Sequence, residues 1–449
     1  MDKVPDIDSY NRLAGALIDN NKTYEDAEEI LNSFVLKIIC NEKIQESESL
    51  QAALVTVVNT GKRCFLGGVI IDMPPKIKNK LKNFNFEYLN DLIKHILGKV
   101  NKDLKAQFSL KFGCNAQNSK ELEIVASAWQ GGVVPFDNNL DISLPEENNI
   151  LLGGVAAGSL GVALAFLKVS KIDLRSADKL AGISLWRPDL NWLDKEAEGP
   201  GIDNIPKKIW VAGLGHLGQS YLWNLRFLPF KNSSECEVLL QDYDIITDAN
   251  YQSGLLCEKE NVKKKKARVC SEWLEEFGVK TTICERKYDN NTIPSNNEPQ
   301  LVLSGFDNKI ARSNLDSTKF SLIVDAGLGG TKNSFDDIQI NVFPNSNHTP
   351  MDLWGNSSIN DGVLNKNVLK AFKSNDKCGM IQLANKAIST SFVGAFAGSL
   401  VISEILRACN LGKRYAGIGL QLRSIEEIKL SANGDYWTEL VRNGLLNVN

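Results

Sequence analysis

A short apolar run, Ile209-Trp210-Val211-Ala212, leads directly into Gly213-Leu214-Gly215-His216-Leu217-Gly218. The residues from Gln219 to Leu228 then have helical character, so the glycines stand between a strand and a helix. In that setting the first glycine permits a tight turn and the second lets backbone approach a phosphate. The third lets the helix pack on the strand. A second run, Glu237 to Gln241, ends in Asp242, at the spacing where an acid accepts a hydrogen bond from a ribose hydroxyl. Together these features predict a nucleotide site rather than a purely structural turn.

Further polar residues narrow the choice of nucleotide. Asp242 is followed by Asp244 and Asn250, and then by a lysine run that ends at Lys266 and opens an amphipathic helix. A lysine beside a mononucleotide can neutralise triphosphate charge. The strand-like run from Leu301 ends near Asp307-Asn308, with Arg312 about one turn later. An acid at the carboxyl end of a parallel strand faces the ligand crevice, where it could hold Mg2+. An NAD-linked oxidoreductase would use only the glycine loop and Asp242, so the set fits Mg-ATP better.

The elements that must position these groups form two halves. Ala157-Gly158-Ser159-Leu160 recurs as Ala397-Gly398-Ser399-Leu400 inside a second apolar stretch. Each is followed by a similar strand, at Ala181 to Leu185 and Ala416 to Leu420. The order suggests a duplicated domain. Glu196 to Lys208, rich in Gly, Pro and charge, marks the seam. We expect one domain over 1–200 and another over 201–449, with a polar, irregular crossover loop over 331–377. The first half carries no glycine loop after a strand, so it is expected to be a non-catalytic partner. Of the two apolar stretches, 150–167 and 387–403, neither has an aromatic belt or basic flank, and both are expected to be buried helices rather than membrane spans.

Composition agrees with a cytoplasmic protein. The net charge of −3 offers no footprint for nucleic acid or an anionic membrane, and the nine cysteines lack zinc spacing. The N-terminal residues lack the apolar core of a signal peptide.

The series GLGHLG, Asp242 and Asp244 with Asn250, Lys266-Ala267, and Asp307-Asn308 with Arg312 resembles the ThiF/E1 adenylation family over Lys207 to about Arg423. Within it, the resemblance is to bacterial E1-like proteins of antiphage ubiquitin-like conjugation operons. It implies an α/β fold with a doubly wound, mostly parallel Rossmann-like sheet, duplicated as a pseudo-dimer of inactive and active halves. It implies ATP and Mg2+ as ligands, a ubiquitin-like protein as substrate, an E2-like protein as acceptor, and a homodimer as one possible assembly. By position, Asp242 would bind ribose, Asp244 and Asn250 would line the site, Lys266 would contact phosphate, and Asp307 would ligate Mg2+. One departure stands out: Ser253 occupies the place of an arginine usual in the family. Arg12 resembles the arginine that the family supplies from the paired domain.

Cys378 is the candidate nucleophile. It follows the polar loop Lys373 to Lys377 and precedes a helix-like run from Met380, where the helix dipole and nearby lysines would favour the thiolate. In the resembling family, a cysteine there forms a thioester with the activated protein. Cys257, in the loop after the nucleotide strand, is the second choice. Three rivals are a peptide or sulfur-carrier adenylyltransferase acting without a thioester, an NAD-dependent Rossmann oxidoreductase, and a non-enzymatic scaffold with a dead nucleotide site.

Overall fold

Strands buried on both faces read as unbroken apolar runs, and short runs of this kind build two sheets in the computed structural model. It describes residues 11–18, 22–98, 105–138, 142, 144–315, 319–345, 347–355, 387–432 and 444–448. The first half contains α1 (Tyr24–Ser33), β1 (Val35–Cys40), α2 (Glu48–Gly61), β2 (Gly68–Asp72) and α3 (Leu89–Leu97). It continues through β3 (Phe108–Phe112), β4 (Glu121–Ser127), β5 (Gln130–Pro135), α4 (Leu152–Val169) and β6 (Ala181–Ser184). Its sheet runs β2-β1-β3-β4-β5-β6, with the first four strands parallel and the last two antiparallel.

The second half repeats this plan. It holds β7 (Asn204–Pro206), β8 (Lys208–Ala212), α5 (His216–Leu225), β9 (Glu237–Gln241), α6 (Asp248–Tyr251) and α7 (Lys266–Glu275). Then come β10 (Lys280–Cys284), β11 (Leu301–Ser304), α8 (Lys309–Ser313), β12 (Leu322–Leu328), β13 (Asp337–Phe343) and α9 (Pro350–Trp354). Last are α10 (Ser391–Cys409), β14 (Tyr415–Gln421), β15 (Lys429–Ala432) and β16 (Leu445–Asn447). The larger sheet is ordered β10-β9-β8-β11-β12-β13-β14-β15, parallel through β12 and antiparallel beyond. Near the seam, β7 pairs with β16.

Both apolar stretches become buried helices, and they sit at equivalent places. α4 lies between β5 and β6 as α10 lies between β13 and β14, and the two pack on each other. α4 also packs on α2, and α10 on α5, so the four helices make one layer. One large apolar cluster runs through both halves, and two smaller ones lie within the second. The echoed residues have a shared cause. A Cβ on Gly158 would meet Ala53 O at 2.5 Å, and one on Gly398 would meet Asn224 Nδ2 at 2.4 Å. One turn earlier, Gly154 and Gly394 are equally crowded against α2 and α5. Only glycine permits approaches this close, so the repeat records helix packing as much as ancestry.

One expectation needs correcting. The segment from Thr331 is not wholly irregular, because β13 crosses the sheet there with Ile338, Ile340 and Val342 buried on alternate positions. The alternation in Asp337–Phe343 is a strand signal, and it was obscured by the polar residues on either side.

Candidate functional site

The glycine loop leaves β8 at Gly213, whose φ of +85° is a left-handed conformation that favours glycine. Gly218 allows the turn to close, since a Cβ there would lie 2.0 Å from Gly213 O. Gly215 differs from both. It caps α5, and a Cβ built on it would meet nothing within 4 Å. The backbone at Gly215 therefore has open space beside it, at the helix end whose N–H groups and positive dipole suit an anion.

Asp242 follows β9 and is buried. Its Oδ2 accepts from Leu214 N at 2.7 Å and its Oδ1 from Asp244 N at 2.8 Å. The carboxylate thus fixes the glycine loop. Lys266 opens α7 and sends Nζ to Asp244 Oδ2 at 3.0 Å. Burial alone would pull this lysine down, but the charges of Asp242, Asp244 and Asp307 prevail and hold its ammonium above the ordinary value. Lys266 thus joins the start of α7 to the residues that follow β9, beside the glycine loop. Asp307 itself is exposed. That leaves its carboxylate open to a cation, and a carboxylate together with phosphate oxygens is a ligand set that Mg2+ takes.

The other named residues have local partners. Asn250 Oδ1 accepts from Thr247 N at 2.9 Å, capping α6. Asn308 Oδ1 accepts from Ala311 N at 2.7 Å, capping α8. Arg312 is turned to Asp325, with contacts of 2.8 Å and 3.1 Å, and its guanidinium lies over the Trp354 ring. Its charge therefore supports a buried carboxylate. Ser253, where the resembling family has arginine, is buried.

Two residues connected with the site were not singled out from sequence. Gln219 is buried and donates to Leu214 O at 3.1 Å and to Cys257 Sγ at 3.1 Å, while accepting from Leu256 N at 3.0 Å. It ties the glycine loop to the segment after α6. Its place directly after Gly218 was the available signal. His216 Nδ1 lies 2.7 Å from Ser389 Oγ, joining the glycine loop to the chain entering α10. Burial, with the charge of Arg12 adding to it, lowers its pKa to about 4. The first half thus brings Arg12 into the electrostatic range of the glycine loop.

Cys378 lies outside the described residues. α10 begins only at Ser391, after Thr390, so the dipole argument built on a helix from Met380 does not transfer to α10. Cys257 is fully buried, and burial pushes its thiol up. That setting suits a structural cysteine.

The chain has clear relatives. A family described as the BilD C-terminal domain matches residues 205–412, and one described as the BilD N-terminal domain matches residues 35–185. The bacterial E1-like protein BilD of Collimonas sp. (strain OK412) is 30% identical over 431 residues, which covers 94% of this chain and 93% of that protein. Among solved structures, PaaA aligns with a TM-score of 0.34 at 13% identity, over 51% of this chain and 64% of its own. TcdA (CsdL) aligns with a TM-score of 0.30 at 16% identity, over 45% and 84%. An E. coli tRNA N6-threonylcarbamoyladenosine dehydratase, TcdA, in complex with ATP aligns with a TM-score of 0.29 at 16% identity, over 45% and 84%.

Proposed function

Because the chain belongs to the bacterial E1-like BilD family, we propose that it adenylates the C-terminal carboxylate of a ubiquitin-like protein, using ATP. The observation that carries this reading is the ion pair of Lys266 with Asp244 at 3.0 Å, next to Asp242, which holds the glycine loop through Leu214 N, with open space beside Gly215. ATP with Mg2+ supplies the adenylyl group and pyrophosphate as the leaving group. A carboxylate oxygen of the substrate forms the new bond to the α-phosphorus as the bond to pyrophosphate breaks.

The chain's own groups work by position and charge. The α5 amino end and Gly215 receive phosphate oxygens. Lys266 neutralises charge that builds up during transfer, and Asp244 keeps its ammonium in place. Asp242 orients the ribose while holding Leu214. Asp307 would hold the metal ion at the mouth of the site, and Arg12 of the first half would add positive charge near His216.

In the second step of this proposal, the Cys378 thiolate attacks the acyl carbon, forming a thioester and releasing AMP. Transfer to an E2-like cysteine follows. The setting we propose is the cytoplasm, in a ubiquitin-like conjugation pathway of antiphage defence.

The test mixes the chain with Mg-ATP and a ubiquitin-like protein encoded beside it, and follows pyrophosphate release and adducts on a non-reducing gel. We expect pyrophosphate and a thiol-sensitive adduct that is lost in Cys378→Ala. Pyrophosphate without any adduct would remove the thioester step. Neither signal, with the partner shown to be intact and bound, would overturn the proposal.

A further inference from the structure

The geometry points to Arg63, in the half without a glycine loop, as a positioning residue for the nucleotide site in the other half. Arg63 follows the carboxyl end of α2, and its side chain is fully buried. It donates to three carbonyls of one second-half segment: Tyr251 O, Cys257 O at 2.9 Å and Leu255 O at 3.1 Å. Its guanidinium also meets Glu258 at 3.2 Å and lies over the Tyr251 ring. Asn59 braces it from α2 and donates to Leu255 O itself.

This segment, 251–258, contains Ser253 and adjoins Asn250. Its far side is held by Gln219, which bonds Leu256 N and Leu214 O together. Leu214 N in turn bonds Asp242. A continuous hydrogen-bonded path therefore runs from α2 through Arg63, the segment and Gln219 into the glycine loop. Losing Arg63 leaves Tyr251 O and Cys257 O without their side-chain donor and Leu255 O with Asn59 alone, and the segment must move to find water. The glycine loop loses its brace when it does.

The inference rests on the ATP reading above and adds the first half as a working part of that site. The experiment is ATP–pyrophosphate exchange with the full chain and the ubiquitin-like protein, comparing Arg63→Met, Arg63→Lys, Asn59→Ala, Lys266→Ala and Asn83→Ala. Asn83 is the control: it crosses between the halves to Arg226 O and Leu228 O without touching this path.

We expect Arg63→Met to raise KM for ATP about tenfold with a smaller change in kcat. Arg63→Lys should recover part of that loss, and Asn59→Ala should move KM in the same direction by less. Asn83→Ala should lower Tm and leave KM at the wild-type value. Equal KM for the Arg63, Asn59 and Asn83 variants would overturn the positioning role, and Asn59→Ala supplies that comparison if Arg63→Met does not fold. Exchange that is abolished by Lys266→Ala but unmoved by the Arg63 variants would sink this inference alone. Wild-type protein without exchange would sink the ATP reading and this inference with it.

Discussion

The two halves place the same kind of helix after the same kind of strand, yet they treat its amino end differently. In the second half, α5 begins just after its cap Gly215, which has open space beside it. In the first half, the α2 end is occupied by the chain's own carboxylate. Glu147 accepts from Glu48 N at 2.8 Å and Ser49 N at 2.9 Å, and also bonds Ser47 Oγ. The entry also differs, since β1 reaches α2 through the short helical turn Glu42–Gln45 instead of a glycine loop. Even the acid that ends β2, Asp72, is paired with Lys37 at 3.0 Å. One backbone plan thus yields one helix end able to take an external anion and one that carries an internal substitute. The difference lies in loops and side chains, while sheet order and helix packing are shared.

The comparison is broken most severely at Lys266, for which the first half shows no equivalent among the described residues. Replacing it with alanine removes the buried cation paired with Asp244. We expect pyrophosphate exchange to fall about 100-fold or more, as when one group that stabilises developing charge is deleted. Circular dichroism should show an intact fold. A variant with near wild-type exchange would mean that the Lys266–Asp244 pair serves structure only.

A smaller effect should reveal what the halves share. Gly158→Ala and Gly398→Ala each push a methyl group into the neighbouring helix, at α2 and α5 respectively. Overpacking of this kind costs about 1–3 kcal/mol. Similar losses in denaturant unfolding would support the equivalence of the two helix pairs. A loss confined to one variant would show that the packing only looks alike in sequence.

That pair also shows what could be read without a structure. The repeated Ala-Gly-Ser-Leu was visible because close helix approach demands small residues at fixed spacing, and a fixed demand leaves a pattern. The glycine loop was visible for the same reason. Arg63 and Gln219 were not, because they bond backbone carbonyls and N–H groups, which every residue type carries. Asn250 and Asn308 looked like ligand residues, and each caps a short helix, a role that uses the same side chain. Arg312 looked free because its partner, Asp325, belongs to the next strand, and only the fold brings them to 2.8 Å.

The smallest effect is expected at Glu147. It is exposed, so its two backbone hydrogen bonds and its favourable place at the α2 dipole are screened by solvent. Glu147→Ala should cost about 1 kcal/mol, the usual value of a helix cap, read as a fall in Tm. Sulfate gives the sharper readout. With the carboxylate gone, the N–H groups of Glu48 and Ser49 are free to bind an added anion, so sulfate should restore Tm more in the variant than in the wild-type protein. Equal responses would mean that the α2 end has lost the shape of an anion site as well as its vacancy. A selective response would show that the first half keeps a working anion cradle and that Glu147 alone closes it.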